Sequence, residues 1–116
     1  MSGATGYHAG RVAEDCVARC YADRGLRLRE RRWRGRGGEI DLILEDGEGL
    51  VFVEVKKSRS VEQAVARVTE RQIRRICNAA LEYVAGEPAQ TDTQMRFDLA
   101  LVDMHGQTHV LENILH

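Results

Sequence analysis

The chain has 116 residues, 43 % of them hydrophobic, and a formal net charge of −1. That length suits one domain over residues 1–116 with one core, and the apolar content excludes an intrinsically disordered chain. No apolar run reaches membrane-spanning length, and the N-terminus has no charged segment followed by an apolar one, so a soluble cytoplasmic protein is expected.

The near-neutral total hides an asymmetry. Fifteen of the seventeen basic residues are arginine, and seven of these lie between Arg24 and Arg36. Such a patch suits a polyanionic partner, and equally a solvated strand and loop. The three cysteines, Cys16, Cys20 and Cys77, cannot all pair within one chain. Cys16 and Cys20 with His105 and His109 imitate a zinc set, but the pairs are remote in sequence and lack knuckle-like turns, which argues against zinc.

Residues 8–24 read as a helix: Val12, Cys16, Val17, Cys20 and Tyr21 recur at helical spacing, and Gly25 is a natural stop. Leu26 to Trp33 alternate weakly, as an edge strand whose charges discourage edge-to-edge pairing. Gly35, Gly37 and Gly38 mark a turn. Strands follow at 39–44 and 50–56, joined by Glu45-Asp46-Gly47-Glu48-Gly49. Residues 57–68 are loop-like, with room for a short helical turn. Thr69-Glu70-Arg71-Gln72 has the form of a capping box. It opens a helix with the apolar stripe Ile73, Ile76, Cys77, Ala80, Leu81 and Val84, which Gly86-Glu87-Pro88 stops. After a polar linker at 89–94, Met95, Phe97, Leu99 and Leu101 alternate as a fourth strand, and 108–114 can form a fifth. The expected fold is α/β, a central mixed five-stranded sheet flanked by helices in the order α-β-β-β-α-β-β.

The chemistry concentrates in the 39–56 hairpin. Successive strand residues alternate between faces. Ile40, Leu42 and Leu44 then share one face and Asp41 takes the other, while Val51, Val53 and Val55 oppose Phe52, Glu54 and Lys56. With the turn near Gly47, Asp41 lies across from Val53 or Glu54. Joining the aliphatic faces in the core brings Asp41, Glu54 and Lys56 together on the other side. Two carboxylates across a strand pair repel, and partial burial raises their pKa unless a cation compensates. Mg²⁺ favours carboxylate oxygens and keeps waters, so it suits such a pair and the hydrolysis of a phosphodiester. Lys56 could orient the attacking water or stabilise the transition state. The simpler alternative is a wet hairpin face on which Lys56 balances Glu54. Lys57 falls on the opposite face from Lys56, or opens the following loop.

Gly38-Glu39-Ile40-Asp41-Leu42-Ile43 followed by Val51-Phe52-Val53-Glu54-Val55-Lys56 closely resembles the YraN family of small bacterial proteins. Gly10 to Glu14, Trp33-Arg34, Gly37-Gly38, Arg74-Arg75 and Arg96-Phe97-Asp98 extend the resemblance over nearly the whole chain. The family's Lys-Thr-Arg reads Lys56-Lys57-Ser58-Arg59 here, and its Pro-Arg-Lys reads Glu70-Arg71-Gln72.

That family is similar in turn to the restriction-endonuclease-like PD-(D/E)xK nucleases, and in pattern to archaeal Holliday-junction resolvases. The resemblance implies a restriction-endonuclease-like domain, a divalent metal (Mg²⁺ or Mn²⁺) and a nucleic-acid substrate, DNA in the first instance. By carry-over, Asp41 and Glu54 are metal ligands, Glu14 is the helix-borne acid that completes the site, and Lys56 is the catalytic lysine. Gln72 matches a helix glutamine of many such nucleases. Glu39 is an outer carboxylate or, preferably, holds the turn. Arg32, Arg34, Arg36, Lys57 and Arg59 are candidate phosphate contacts. The implied activity is a metal-dependent endonuclease, on branched or damaged DNA in one version; the alternative is a catalytically weak or inactive nucleic-acid-binding or adaptor protein. Analogy with junction resolvases also implies a homodimer, for which Ile114-Leu115 is a candidate surface.

Overall fold

The computed structural model describes residues 2–47, 49–86 and 94–115, with side chains from Gly10 onward. In chain order the elements are α1 (Ser2–Asp23), β1 (Arg27–Arg34), β2 (Glu39–Asp46), β3 (Gly49–Lys57), α2 (Val61–Ala66), α3 (Glu70–Ala85), β4 (Met95–Val102) and β5 (Thr108–Leu111). The expected order α-β-β-β-α-β-β holds, with α2 added in the loop-like stretch. Ser60 caps α2 by accepting the Gln63 N–H at 3.1 Å. The expected linker falls almost wholly outside the described residues.

The sheet runs β1-β2-β3-β4-β5, antiparallel except for the parallel β3–β4 pair. Two parallel neighbours need a long crossover, which α2 and α3 supply. Helix α1 packs on one face of the sheet, with Ala13, Val17 and Tyr21 against Leu42, Leu44, Val51, Val53 and Ala100. On the other face, Ala79, Ala80 and Tyr83 of α3 meet Ile43, Phe52 and Leu50. A third cluster gathers Ala64 of α2 with Leu99 and Leu101.

Both helices turn slightly differently from their expected stripes. Val12 is 60 % exposed, and the buried line of α1 is Ala13, Glu14, Val17 and Tyr21. On α3, Leu81 is exposed, and Ile76, Ala79, Ala80 and Tyr83 form the buried line. Residues at i, i+3, i+4 and i+7 share a face, so the small alanines set the contact and the larger Val12 and Leu81 fall beside it. The expected capping box is present: Gln72 N–H donates to Thr69 Oγ1 at 3.1 Å and Thr69 N–H to Gln72 Oε1 at 3.2 Å.

The fifth strand is shorter than expected. It ends at Leu111, and Asn113 adopts a positive φ of 56°. The chain then folds back, with Ile114 N–H donating to the Phe97 carbonyl at 2.7 Å and Ile114 packing on the third cluster. Ile114 thus contributes to the monomer's own core. No described helix is long and apolar enough to cross a membrane.

Candidate active site

The β2–β3 hairpin turns near Gly47, with Leu42 opposite Val53 and Asp46 opposite Gly49. Continuing that register brings Asp41 level with Glu54. The alternation expected for β2 does not survive to its start. Leu42 belongs to the α1-side cluster, but Ile40 joins the α3-side cluster with Trp33. On β1 the consecutive residues Arg31 and Arg32 both reach α1, at Asp15 and Glu14. A regular strand sends neighbours to opposite faces. The positive φ of 49° at Arg32 breaks that rule and lets both guanidiniums reach one helix.

The hairpin ladder gives out where the carboxylates begin. Its last register pair toward this end is Leu42–Val53, and the Val55 N–H donates to Asp41 Oδ2 at 2.8 Å. The side chain of Asp41 therefore substitutes for a backbone acceptor where the two strands separate. Its environment is otherwise anionic. Burial, the Glu54 carboxylate and the Glu14 carboxylate raise its pKa to about 7, although the Val55 N–H opposes them. The Asp41 carboxyl is also close enough to hydrogen-bond to Glu54.

The other acids have cations of their own. Arg32 Nε lies 3.1 and 3.0 Å from the two oxygens of Glu14, which is only 6 % exposed. Lys56 Nζ lies 3.6 Å from Glu54 Oε1, and both side chains are largely buried. Pairing Arg32 with Glu14 and Lys56 with Glu54 leaves Asp41 without a cation among the described residues. Here the donor set fits a divalent metal: two oxygen ligands from Asp41 and Glu54 leave positions for water and phosphate, as Mg²⁺ prefers. Among the described residues, no group of three or more His, Cys, Asp or Glu side chains is placed to hold a metal ion. Glu14 is close enough to raise the Asp41 pKa, yet its carboxylate is committed to Arg32.

The remaining expected site residues make their contacts elsewhere. Gln72 uses its side-chain oxygen in the α3 cap. Lys57 and Arg59 are exposed at the end of β3 and in the loop after it. Arg34 binds Glu39 at 2.8 Å, so Glu39 ties β1 to β2, in keeping with its expected role as a holder of the turn. Arg36 is exposed, and its N–H with that of Gly37 donates to Glu82 of α3, at 2.8 and 3.1 Å for Oε1. The Gly37-Gly38 pair has a packing reason. A Cβ at Gly37 would lie 3.0 Å from Asn78 Cβ, and one at Gly38 3.2 Å from the Arg75 carbonyl oxygen. The loop lies flat on α3, and this positions the start of β2.

The arginine run of residues 24–36 is largely neutralised within the chain. Arg24 pairs with Glu112, Arg27 and Arg29 with Glu45, Arg31 with Asp15, Arg32 with Glu14 and Arg34 with Glu39. Sequence density of arginine therefore overstates the free positive charge of this strand.

A second buried acid, Asp98, was legible only as part of the Arg96-Phe97-Asp98 motif. It is 1 % exposed and accepts from Tyr21 Oη at 2.7 Å, Arg96 Nε at 3.0 Å and the Asn113 N–H at 2.9 Å. This network pins α1 and the C-terminal segment to β4. Burial and the Asp98 carboxylate push the Tyr21 phenol upward, so it remains a donor.

The family model described as "Uncharacterised protein family UPF0102" matches residues 13–102. A UPF0102 protein of Cereibacter sphaeroides strain KD131 is 51 % identical over 113 residues, covering 97 % of each chain. One from Roseobacter denitrificans is 49 % identical, covering 98 % of this chain and 88 % of its own. One from Ruegeria sp. strain TM1040 is 43 % identical, covering 96 % and 90 %. The matched segment runs from the buried line of α1 through both acid-bearing strands to the end of β4. The chain belongs to the UPF0102 family, also known as the YraN family.

Proposed function

We propose that the protein is a divalent-metal-dependent endonuclease that hydrolyses phosphodiester bonds in DNA. One observation carries this reading. Asp41 lies among carboxylates with no cation of its own among the described residues, and its pKa is raised to about 7. At neutral pH such a site favours a bound cation over ionisation without one.

In this reading Asp41 and Glu54 would hold the metal, and Glu14, engaged by Arg32, adds its negative charge from α1. When bound, the cation supplies positive charge against the scissile phosphate and acidifies the attacking water. Lys56, oriented by Glu54 at 3.6 Å, positions that water in line with the phosphorus–oxygen bond and stabilises the oxygens that gain charge. Gln72 offers its amide nitrogen as a further donor, since its oxygen serves the helix cap. Arg32, Arg34, Arg36, Lys57 and Arg59 contribute contacts to the backbone, which hold the strand without reading its sequence. Branched or damaged DNA and a homodimeric arrangement are finer versions of the same proposal.

The test is cleavage of linear, flapped and four-way DNA in Mg²⁺ or Mn²⁺, with Asp41→Ala alongside. The variant is expected to keep its fold and lose at least about 10³-fold in rate, equivalent to roughly 4 kcal/mol of barrier. Undiminished cleavage in Asp41→Ala sinks the proposal.

A second reading has its own support. Glu14 is bound by Arg32 and Lys56 by Glu54, so the acids and the lysine already satisfy one another in part. A nucleic-acid-binding or adaptor protein with little cleavage would look like this. Salt-dependent DNA binding with no product across the panel favours that version.

A further inference from the structure

Among the described residues, a group of exposed arginines without ion-pair partners lies away from the arginine-rich strand. Helix α3 carries Arg71, Arg74 and Arg75 in its first half, all exposed. No ion pair joins any of the three to an acid among the described residues. The contrast is with β1 and its flanks, where six arginines in the 24–36 run have acid partners. One acid, Glu70, shares the first turn of α3 with these arginines.

The three are arranged as a track. Positions 71, 74 and 75 are i, i+3 and i+4, so they share one side of the helix, with Cβ atoms about 5–6 Å apart. The α3 macrodipole adds partial positive charge at the same end. Arg75 also lines a cleft of about 250 Å³ together with Arg34, Gly35, Arg36, Gly38 and Glu39. Glu39 in that cleft is bound to Arg34, and the Arg36 guanidinium also feels Glu82. The backbone of Arg75 touches Gly38, three residues before Asp41. At about 3.3 Å per strand residue, Gly38 lies about 10 Å along the chain from Asp41.

We propose that Arg71, Arg74 and Arg75 form the principal phosphate-binding track of the protein, which leads a nucleic-acid strand along α3, past the Gly35–Gly38 loop, to Asp41 and Glu54. The inference rests on the nucleic-acid reading of the site given above. It adds that the dominant electrostatic contacts come from α3 and not from the arginine-dense strand. Neutralising arginines that already have acid partners then removes little attraction for phosphate.

The experiment is equilibrium binding of a labelled DNA duplex and a four-way junction, with EDTA present to prevent cleavage, over a range of salt. Three proteins are compared: wild type, R71Q/R74Q/R75Q, and R27Q/R31Q as the ion-paired control. Each phosphate contact contributes about 0.9 to the slope of log K against log salt. The α3 variant is expected to weaken binding at least about tenfold and to lower the slope by about 2–3. The control is expected to change affinity less than about twofold. Circular dichroism and thermal melting check that each variant is folded. Should the triple variant melt early, the single variants are each expected to lower the slope by about 0.9. Wild-type binding with an unchanged slope in the α3 variants overturns the track but leaves the nucleic-acid reading standing. An equal or larger loss in R27Q/R31Q also overturns it. Absence of wild-type binding at low salt overturns the nucleic-acid reading itself, and the track with it.

Discussion

Asp41 and Asp98 stand on β2 and β4, the two strands that flank β3, and their surroundings are opposite. Asp98 is buried with a guanidinium, a phenol and a backbone N–H all donating to it. Asp41 is half-buried, accepts the Val55 N–H, and otherwise faces Glu54 and Glu14. Burial of a carboxylate stabilises a fold only when its charge is compensated locally. Asp98 meets that condition and works as a structural pin. Asp41 does not meet it among the described residues, and the proposed function assigns an external cation to this place.

The largest expected effect is on the compensated acid. Asp98→Ala leaves Arg96 partly buried without its main partner and should lower stability by about 3–5 kcal/mol, read from urea unfolding. A loss below about 1 kcal/mol would break the contrast, because Asp98 would then not be the pin.

The uncompensated acid should behave in the other direction. A carboxyl whose folded pKa is about 7, against about 3.9 when unfolded, holds its proton more tightly in the native state. Between those values the folded protein binds more protons than the unfolded one. The stability from this group is therefore present at low pH and lost as pH rises through about 4 to 7. Asp41→Asn removes the ionisation, and without metal at pH 8 it should stabilise the protein by roughly 1–3 kcal/mol. Its advantage should vanish near pH 4. A variant less stable than wild type at pH 8 would show that Asp41 is compensated after all.

Mg²⁺ sharpens the same comparison. At tenfold over its dissociation constant it should stabilise the wild type by about 1.4 kcal/mol, seen as a higher melting temperature at pH 8. Asp41→Asn should lose most of that response. The smallest effect is expected for Tyr21→Phe, which removes one of the Asp98 donors at a cost of about 1 kcal/mol. It should leave the Mg²⁺ response intact, and a changed response would mean the two acids are coupled through β3.

Much of this molecule could be read along the chain. The hairpin turn, the Thr69–Gln72 cap, the Gly25 stop and the element order all rest on local pattern, and the structure has them. The reading failed where a contact between distant residues decided the outcome. Nothing in the local pattern of α1 marks Glu14 as buried, and only the packing of the helix on the sheet leaves it 6 % exposed. Ile40 leaves its expected face to join Trp33, its partner on β1, in the α3-side cluster. The Arg24–Arg36 run suits a polyanionic partner and a solvated strand equally, because its acid partners lie elsewhere in sequence, on α1, β2 and beyond β5.

Local spacing by itself determined the α/β class, the hairpin, the helix caps and the grouping of Asp41, Glu54 and Lys56 as candidates. These depend on periods of 2 and 3.6 residues and on turn chemistry, which act over a few neighbours. Only the tertiary structure decided how charge is distributed. It matched Arg32 to Glu14, Arg96 to Asp98 and Lys56 to Glu54, and among the described residues it left Asp41 without a cation and three arginines of α3 without an ion pair. Electrostatic pairing depends on distance and burial in space, and neither is encoded in the order of residues along the chain.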